Sequence, residues 1–379
     1  MLIGGKMKKR KLKKKVYVLF TLILLIIISV LVINSLNQKE KNVDKTDKVV
    51  ENKDENQPKK MSLIAVGDVL IHESVYKDAY SNNKYDFSPM FSDVKDIINK
   101  YDLKYCNQES TIGGSALGIS GYPSFNSPDE IGDDITDLGF NLISLANNHA
   151  LDKGMDAVLY SNSYWKTKDV ITAGAYSTQE ERDDVKVYEK NGIKYAFLAY
   201  TTLSNAKVPN DYIINMYSAA RAKKDIDKIK DQVDVIIVSM HWGVEFYNEP
   251  NESQRQIAEY LSSLGVNVII GSHPHVVQPV EYIGDTLVIY SLGNFISNQL
   301  SIASNYSKDT NPGIGLMVGM DITVSDEGVK VDNLYKELIL AYAKNSTNFK
   351  VIPFSKLNDT LLPDYKNIED MYMKIVNGG

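Results

Sequence analysis

The sequence predicts an α/β fold with strands buried on both faces, set behind an N-terminal membrane anchor. Three observations carry this expectation. After residue 60, short β-branched apolar runs alternate with helical periods, the pattern of βαβ units and a largely parallel sheet. Before it, a basic N-terminus leads into an apolar stretch without charge. A polar segment with no apolar period joins the two.

Residues 1–15 hold eight Lys/Arg and no acid, and residues 16–33 (VYVLFTLILLIIISVLVI) hold no charge over 18 positions. At 1.5 Å per residue such a helix is about 27 Å long, close to a bilayer's hydrocarbon thickness. The run ends in NSLNQKE, with no small-residue cleavage site and no cysteine for lipid attachment, so it does not read as a signal peptide. Residues 16–34 are expected to form an uncleaved single-pass anchor in the cell membrane. The basic tail 1–15 is then cytoplasmic and the main domain extracellular. Residues 35–60 mix charges without apolar period and read as a flexible linker, which leaves 61–379 as the folded domain.

Charge is divided unevenly along the chain. Residues 1–60 carry 15 Lys/Arg and 6 Asp/Glu, leaving 27 against 42 in residues 61–379, a net −15. An acidic domain argues against nucleic acid as partner, and anionic lipid accounts for the basic tail. The single cysteine, Cys106, excludes an intrachain disulfide; its place in the run LKYC predicts a buried thiol and not a nucleophile.

The expected core strands are SLIAV (62–66), LKYC (103–106), NLISLA (141–146), VDVIIVSM (233–240) and VNVII (266–270), each short and continuous as in sheets covered on both faces. Between them, SPDEIGDDITDLG predicts a helix capped by Ser127, with Pro128 first, Glu130 closing a capping box and Gly139 as stop. NESQRQIAEYLSSLG predicts another, from Asn251 as N-cap to Gly265. Helical patterns also cover 90–101 and 218–232. After residue 276 the runs are closely spaced around turn signals at 284–285 and 326–328, and Asn191-Gly192 signals a hairpin. These predict a second, more antiparallel sheet packed on the first.

Each core run ends in side chains that can hold a metal. SLIAV leads to Asp68, LKYC to Glu109, NLISLA to Asn147, Asn148, His149 and Asp152, VDVIIVSM to His241, Trp242 and Glu245, and VNVII to His273 and His275. Ligands of open α/β sheets sit beyond the carboxyl ends of the strands. Four of only five histidines fall directly after core strands, a coincidence that packing alone does not explain. Imidazole, carboxylate and amide suit manganese, iron or zinc, and the lack of thiolate disfavours a structural zinc site. If the chain is extended across Pro274, His273 and His275 face the same side. The candidate ligands are Asp68, Glu109, Asn148, His241, His273 and His275. His149 is the candidate catalytic group, and His72, Asn147, Asp152, Trp242 and Glu245 are candidate lining.

The motifs GDVLIH, NQES, LANNHALDKG, HWGVEF, GSHPHVVQPVE and YSLGNFISNQ occur in this order in the bacterial capsule-synthesis CapA/PgsA family, associated with poly-γ-glutamate, which the chain resembles over about residues 61–300. That family in turn resembles the calcineurin-like metallophosphoesterases. The resemblance implies a four-layer α/β/β/α sandwich and two divalent metal ions. It implies that Asp68, Asn148, His241, His273 and His275 are ligands, that Glu109 bridges, and that His149 protonates a leaving group or steadies an oxyanion. Two departures stand out. The resemblance expects Asp-x-His after the first strand and Asp after the second, where this chain has Leu70 and Glu109; His72 is the candidate substitute for the missing imidazole.

Together these features lead to an expectation of a membrane-anchored protein acting in synthesis or export of a capsular polymer, beside a membrane synthetase complex. Its ligand would be an anionic polymer or a phosphoester. A cell-surface metal-dependent hydrolase and a non-catalytic polyanion-binding domain are the alternatives.

Overall fold

The computed structural model describes residues 57–299 and 311–378, together with 27–29 and 32. The basic tail, all but four residues of the expected anchor, and the linker up to residue 56 lie outside the described residues. Among the described residues no helix is long and apolar enough to cross a membrane. Residues from Pro58 to the C-terminus make one compact unit.

Sixteen strands are described: β1 Lys59–Val69, β2 Tyr80–Ser81, β3 Lys84–Tyr85, β4 Leu103–Gln108, β5 Leu142–Ser144, β6 Ile171–Ala173, β7 Tyr188–Lys190, β8 Ile193–Thr201, β9 Val235–His241, β10 Val268–Ser272, β11 Val280–Ile283, β12 Thr286–Ile289, β13 Asn294–Ile296, β14 Ile314–Ser325, β15 Gly328–Lys344 and β16 Thr347–Pro353. One sheet has the order β16-β15-β14-β1-β4-β5-β6, with β13 paired to the end of β1; the other has the order β11-β12-β10-β9-β8-β7. β1, β4, β5 and β6 are parallel, as are β8, β9, β10 and β12.

The two-residue side-chain period of a strand explains the layering. In β1, Leu63 and Ala65 point into the space between the sheets, where they join Tyr105, Phe197, Ala199, Ile237 and Ile270 in one buried cluster. Ile64 and Val66 point the other way, against Ile131 and Ile135 of helix Asp129–Asp137 and Val158 and Trp165 of helix Gly154–Trp165. On the far side, Leu198, Val238 and Ile269 pack against Ile226 of helix Ala219–Ile229 and Leu261 of helix Glu252–Ser263. The result is the expected α/β/β/α sandwich. Each such aliphatic side chain taken out of water contributes about 1.5–3 kcal/mol, so both faces of both sheets are held by burial.

Three expectations need correction. The antiparallel strands do not form a sheet of their own: β14–β16 extend the first sheet through β1, and β11 and β12 extend the second. Both sheets are therefore mixed, with parallel centres. Ser127 does not cap its helix. Pro128 takes that place without a side-chain cap, and the Ser127 hydroxyl donates to Ser110 Oγ at 2.8 Å instead. The helical pattern at 90–101 resolves into a 3-10 turn, Ser88–Phe91, and a single helical turn, Lys95–Ile98. By contrast Asn251 caps its helix, accepting from Gln254 N while the Gln254 side chain accepts from Asn251 N.

Candidate metal centre

Two glycines bring the strand ends close enough to share a centre. A Cβ on Gly67 would lie 1.8 Å from Gly293 O, and one on Gly271 would lie 1.9 Å from Tyr290 O. No side chain fits at either position. With β1 drawn against the segment before β13, Asp68 N donates to Gly293 O at 3.0 Å. The next residue carries a bulge in the β1–β13 pairing, the device that re-aims a side chain at a strand end.

The expected ligands converge there, all buried. Asp68, Glu109 and His241 form one group whose ligating atoms lie within 4.8 Å of one another, and Glu109, His273 and His275 form a second; Glu109 belongs to both. Glu109 Oε1 is 3.8 Å from His241 Nε2 and 3.7 Å from His275 Nε2, while His275 Nδ1 is 3.3 Å from Asp68 Oδ2. Asn148 Oδ1 stands 2.8 Å from His241 Nε2. The expected bridging carboxylate, ligand amide and imidazoles are thus within reach of two ion positions.

The electrostatics carry the mark of a cation-binding site. Both Glu109 oxygens are buried without a hydrogen-bond partner, and so is His273 Nδ1. A buried carboxylate left this way costs free energy unless a cation meets it. Burial, followed by the neighbouring Asp68 charge, pushes the Glu109 carboxyl well above the usual range. Burial also pulls His241 well down and His273 to about 3, so both rings are neutral and able to ligate. His275 goes the other way: burial lowers it, but the facing Glu109 and Asp68 carboxylates outweigh this and hold it up at about 9. Nitrogen and oxygen donors without thiolate suit manganese, iron or zinc, so the residues present fit a divalent ion.

The backbone at the last two ligands is not extended as expected. His273 and His275 have φ of 96° and 59°, a region rarely adopted by non-glycine residues. The rings meet through a tight turn and not through strand alternation. His273 packs at 4.8 Å from the His241 ring, and its backbone N–H donates to Asp68 Oδ2 at 3.4 Å.

His149 sits at the edge of this cluster. Its Nδ1 is 2.7 Å from Asp152 Oδ2, which fixes the tautomer and leaves Nε2 as the reactive nitrogen. Asp152 Oδ2 also accepts from Phe125 N at 2.8 Å, and the Phe125 ring meets the imidazole edge-on at 4.7 Å. Asn147 acts as a brace: its amide donates to Gln108 O, and its carbonyl accepts from His149 N.

Not every candidate reaches the centre. His72 belongs to neither ligand group; Asn298 N donates to its Nδ1 at 3.2 Å, and burial lowers it to about 4. It lines the adjoining cavity with His149, His275 and Glu245. The 3.2 Å approach of Leu70 O to the same nitrogen would require the other tautomer. Trp242 points away, into the helix-side core, where its indole N–H donates to Tyr290 O at 2.9 Å. Cys106 is buried, as its apolar run predicts, and burial raises its thiol beyond nucleophilic use.

Four partners were not foreseen. Asn294 Oδ1 holds His275 Nδ1 at 3.0 Å, Ser272 Oγ holds His241 Nδ1 at 2.9 Å, Asn107 donates to Asp68 Oδ1 at 2.8 Å, and the Asn205 amide nitrogen lies 3.5 Å from His149 Nε2. Ser272 and Asn107 lie one and two residues before candidate ligands, and Asn294 lies within the motif YSLGNFISNQ. Only Asn205, four residues past the end of β8, has no sequence signal beyond being polar after a strand.

Fold and centre together define a two-sheet α/β protein with side chains able to ligate a metal gathered at its strand ends. The chain belongs to the family of bacterial capsule synthesis proteins: residues 62–299 match the model described as "Bacterial capsule synthesis protein PGA_cap". It is 30% identical over 234 residues to the "PGA biosynthesis protein CapA" of Bacillus subtilis, covering 57% of this chain and 60% of that one. It is 24% identical over 254 residues to the "Capsule biosynthesis protein CapA" of Bacillus anthracis, covering 63% and 60%. The chain therefore spans about 60% of the length of these relatives. Among solved structures, a calcineurin-like phosphoesterase of Bacillus subtilis aligns with a TM-score of 0.44 at 14% identity, covering 84% of this chain and 99% of that one.

Proposed function

We propose that this chain is a divalent-metal-dependent phosphoesterase that serves production or export of a capsular polymer at the outer face of the cell membrane. The observation that carries the reading is the buried Glu109 carboxylate, which has neither oxygen hydrogen-bonded and is shared between two groups of candidate ligands. Two divalent ions held there would supply positive charge to a phosphoryl oxygen and lower the pKa of a coordinated water. Asp68 and Glu109 would hold them from β1 and β4, and His241, His273, His275 and Asn148 from the other strand ends.

The chain's own acid–base group is His149. With Nδ1–H committed to Asp152, Nε2 is the nitrogen that takes up a proton, and the ring so charged would return it to a departing alkoxide at the cavity wall. Asn147 fixes the backbone at His149 N, while Asp152 and the edge-on Phe125 hold the ring. Family membership and the capsule relatives support the role in polymer production. The expected anchor supports the location and would set the domain beside a membrane-bound polymer synthetase.

The test uses the full chain in detergent, loaded in turn with manganese, iron and zinc. Elemental analysis should find up to two ions per chain, with hydrolysis of an aryl phosphate ester. His149→Ala should lower kcat about 10²–10⁴-fold, the usual scale of general acid–base catalysis, while the bound metal stays. Turnover unaffected by this substitution would remove His149 from the chemistry, and none with both ions bound would replace the catalytic reading by that of a polyanion-holding domain.

A further inference from the structure

Beside the metal centre, and opening from it, lies a cavity of about 240 Å³. This is below the roughly 300–1,000 Å³ of pockets that take drug-sized ligands, so it has room for a single small cyclic group and not for a chain of them. Three aromatic residues shape it. Phe125 forms a buried wall, set edge-on against His72 at 5.3 Å and His149 at 4.7 Å. Tyr122 is a lip with 73% of its surface exposed, and Phe246 tilts over His275 at 6.0 Å.

Two polar side chains complete the lining. Glu245 presents an exposed carboxylate, which only accepts hydrogen bonds. Gln299 Oε1 already accepts from Asn294 Nδ2 at 2.7 Å, which leaves its NH₂ group as donor. Among the described residues no Lys or Arg lines the cavity. A second anion placed on the Glu245 side of the cavity would meet that carboxylate with no Lys or Arg beside it. An uncharged ring with an apolar face and several hydroxyls matches aromatic walls, one acceptor and one donor.

Building on the phosphoesterase reading, we infer that the substrate is a phosphate ester of a single sugar ring. Its phosphoryl group lies at the metal centre and its ring lies between Tyr122, Phe125 and Phe246, hydroxyls toward Glu245 and Gln299.

Isothermal titration of the full chain loaded with manganese tests this with four probes that do not turn over: methylphosphonate, phenylphosphonate, a hexose 6-phosphonate and a γ-glutamyl trimer. The hexose phosphonate should bind about tenfold more tightly than methylphosphonate, which corresponds to about 1.4 kcal/mol, and the γ-glutamyl trimer more weakly than either. Tyr122→Ala should bring the ratio of the two phosphonate affinities toward one, and Glu245→Lys should improve binding of the γ-glutamyl trimer. Equal affinity for the hexose phosphonate and methylphosphonate overturns the inference, as does a preference for phenylphosphonate or for the trimer. If methylphosphonate itself does not bind, the phosphoesterase reading falls, and a methyl hexoside then decides the ring: binding weakened by Tyr122→Ala keeps it, and no binding removes it.

Discussion

Glu109 is the residue on which the centre turns, because it is the one carboxylate common to both ligand groups. Its neighbour His275 holds a proton up to about 9 while no cation is present. An imidazole raised above its usual 6.5 contributes stability to the metal-free protein that is complete below pH 6.5 and is lost as pH rises through about 9. A divalent ion needs this ring neutral and Glu109 ionised, so metal uptake must expel protons. Affinity for manganese should therefore climb between pH 6.5 and 9, by about tenfold per unit for each proton displaced. Titration calorimetry in buffers of different protonation enthalpy counts those protons, and none released at pH 7 would contradict the arrangement. Glu109→Gln keeps the shape and removes the shared charge. Manganese at 100 times its dissociation constant should stabilise the wild type by about 2.7 kcal/mol, and the variant should lose most of that shift in a thermal melt. The side chains that converge at the centre were legible in sequence, because polar groups directly after apolar runs are conspicuous. The atoms that orient them were less so: Asn294 and Asn205 act from segments distant in sequence, and no local pattern ties them to a particular imidazole.

At the scale of elements, the centre depends on backbones that pass too close for any side chain. Gly271 lies within β10, where a Cβ would lie 1.9 Å from Tyr290 O, whereas Gly284, at φ 58° in the turn between β11 and β12, has nothing within 4 Å. Gly271→Ala should cost about 3 kcal/mol, the upper end of ordinary overpacking, and lower Tm by about 6–12 °C at 2–4 °C per kcal/mol. Gly284→Ala pays only for its left-handed backbone, about 1–2 kcal/mol. Similar melts for the two variants would show that the strand crossing is looser than the geometry requires. The five core strands were legible because continuous β-branched runs report burial on both faces. Their division between two sheets was not, because apolar alternation records that a strand is buried and not which strand lies beside it. Ile64 pairs with Gly319 across the whole domain, so β14–β16 joined the first sheet through contacts that no local window contains. The turn at His273-Pro274-His275 escaped for a related reason: positive φ at two histidines is imposed by the surrounding structure, against their own preference.

For the molecule as a whole, the division of charge bears on where the domain works. Residues 61–379 carry a net −15, while the first 15 residues carry eight basic groups and no acid. Basic residues stay on the cytoplasmic side of a first apolar segment and are drawn to anionic lipid there. The compact unit from Pro58 onward would then stand outside, on a tether of mixed charge, where its acidic surface repels polyanions except near bound cations. This arrangement predicts that protease added to intact cells digests the domain and leaves a short membrane-bound N-terminal fragment. It also predicts that an alkaline carbonate wash leaves the full chain in the membrane, and that deleting residues 16–34 moves the protein to the soluble fraction. A domain protected from protease until the cells are opened would place the metal centre on the cytoplasmic side, and with it any polymer or sugar phosphate that the centre handles.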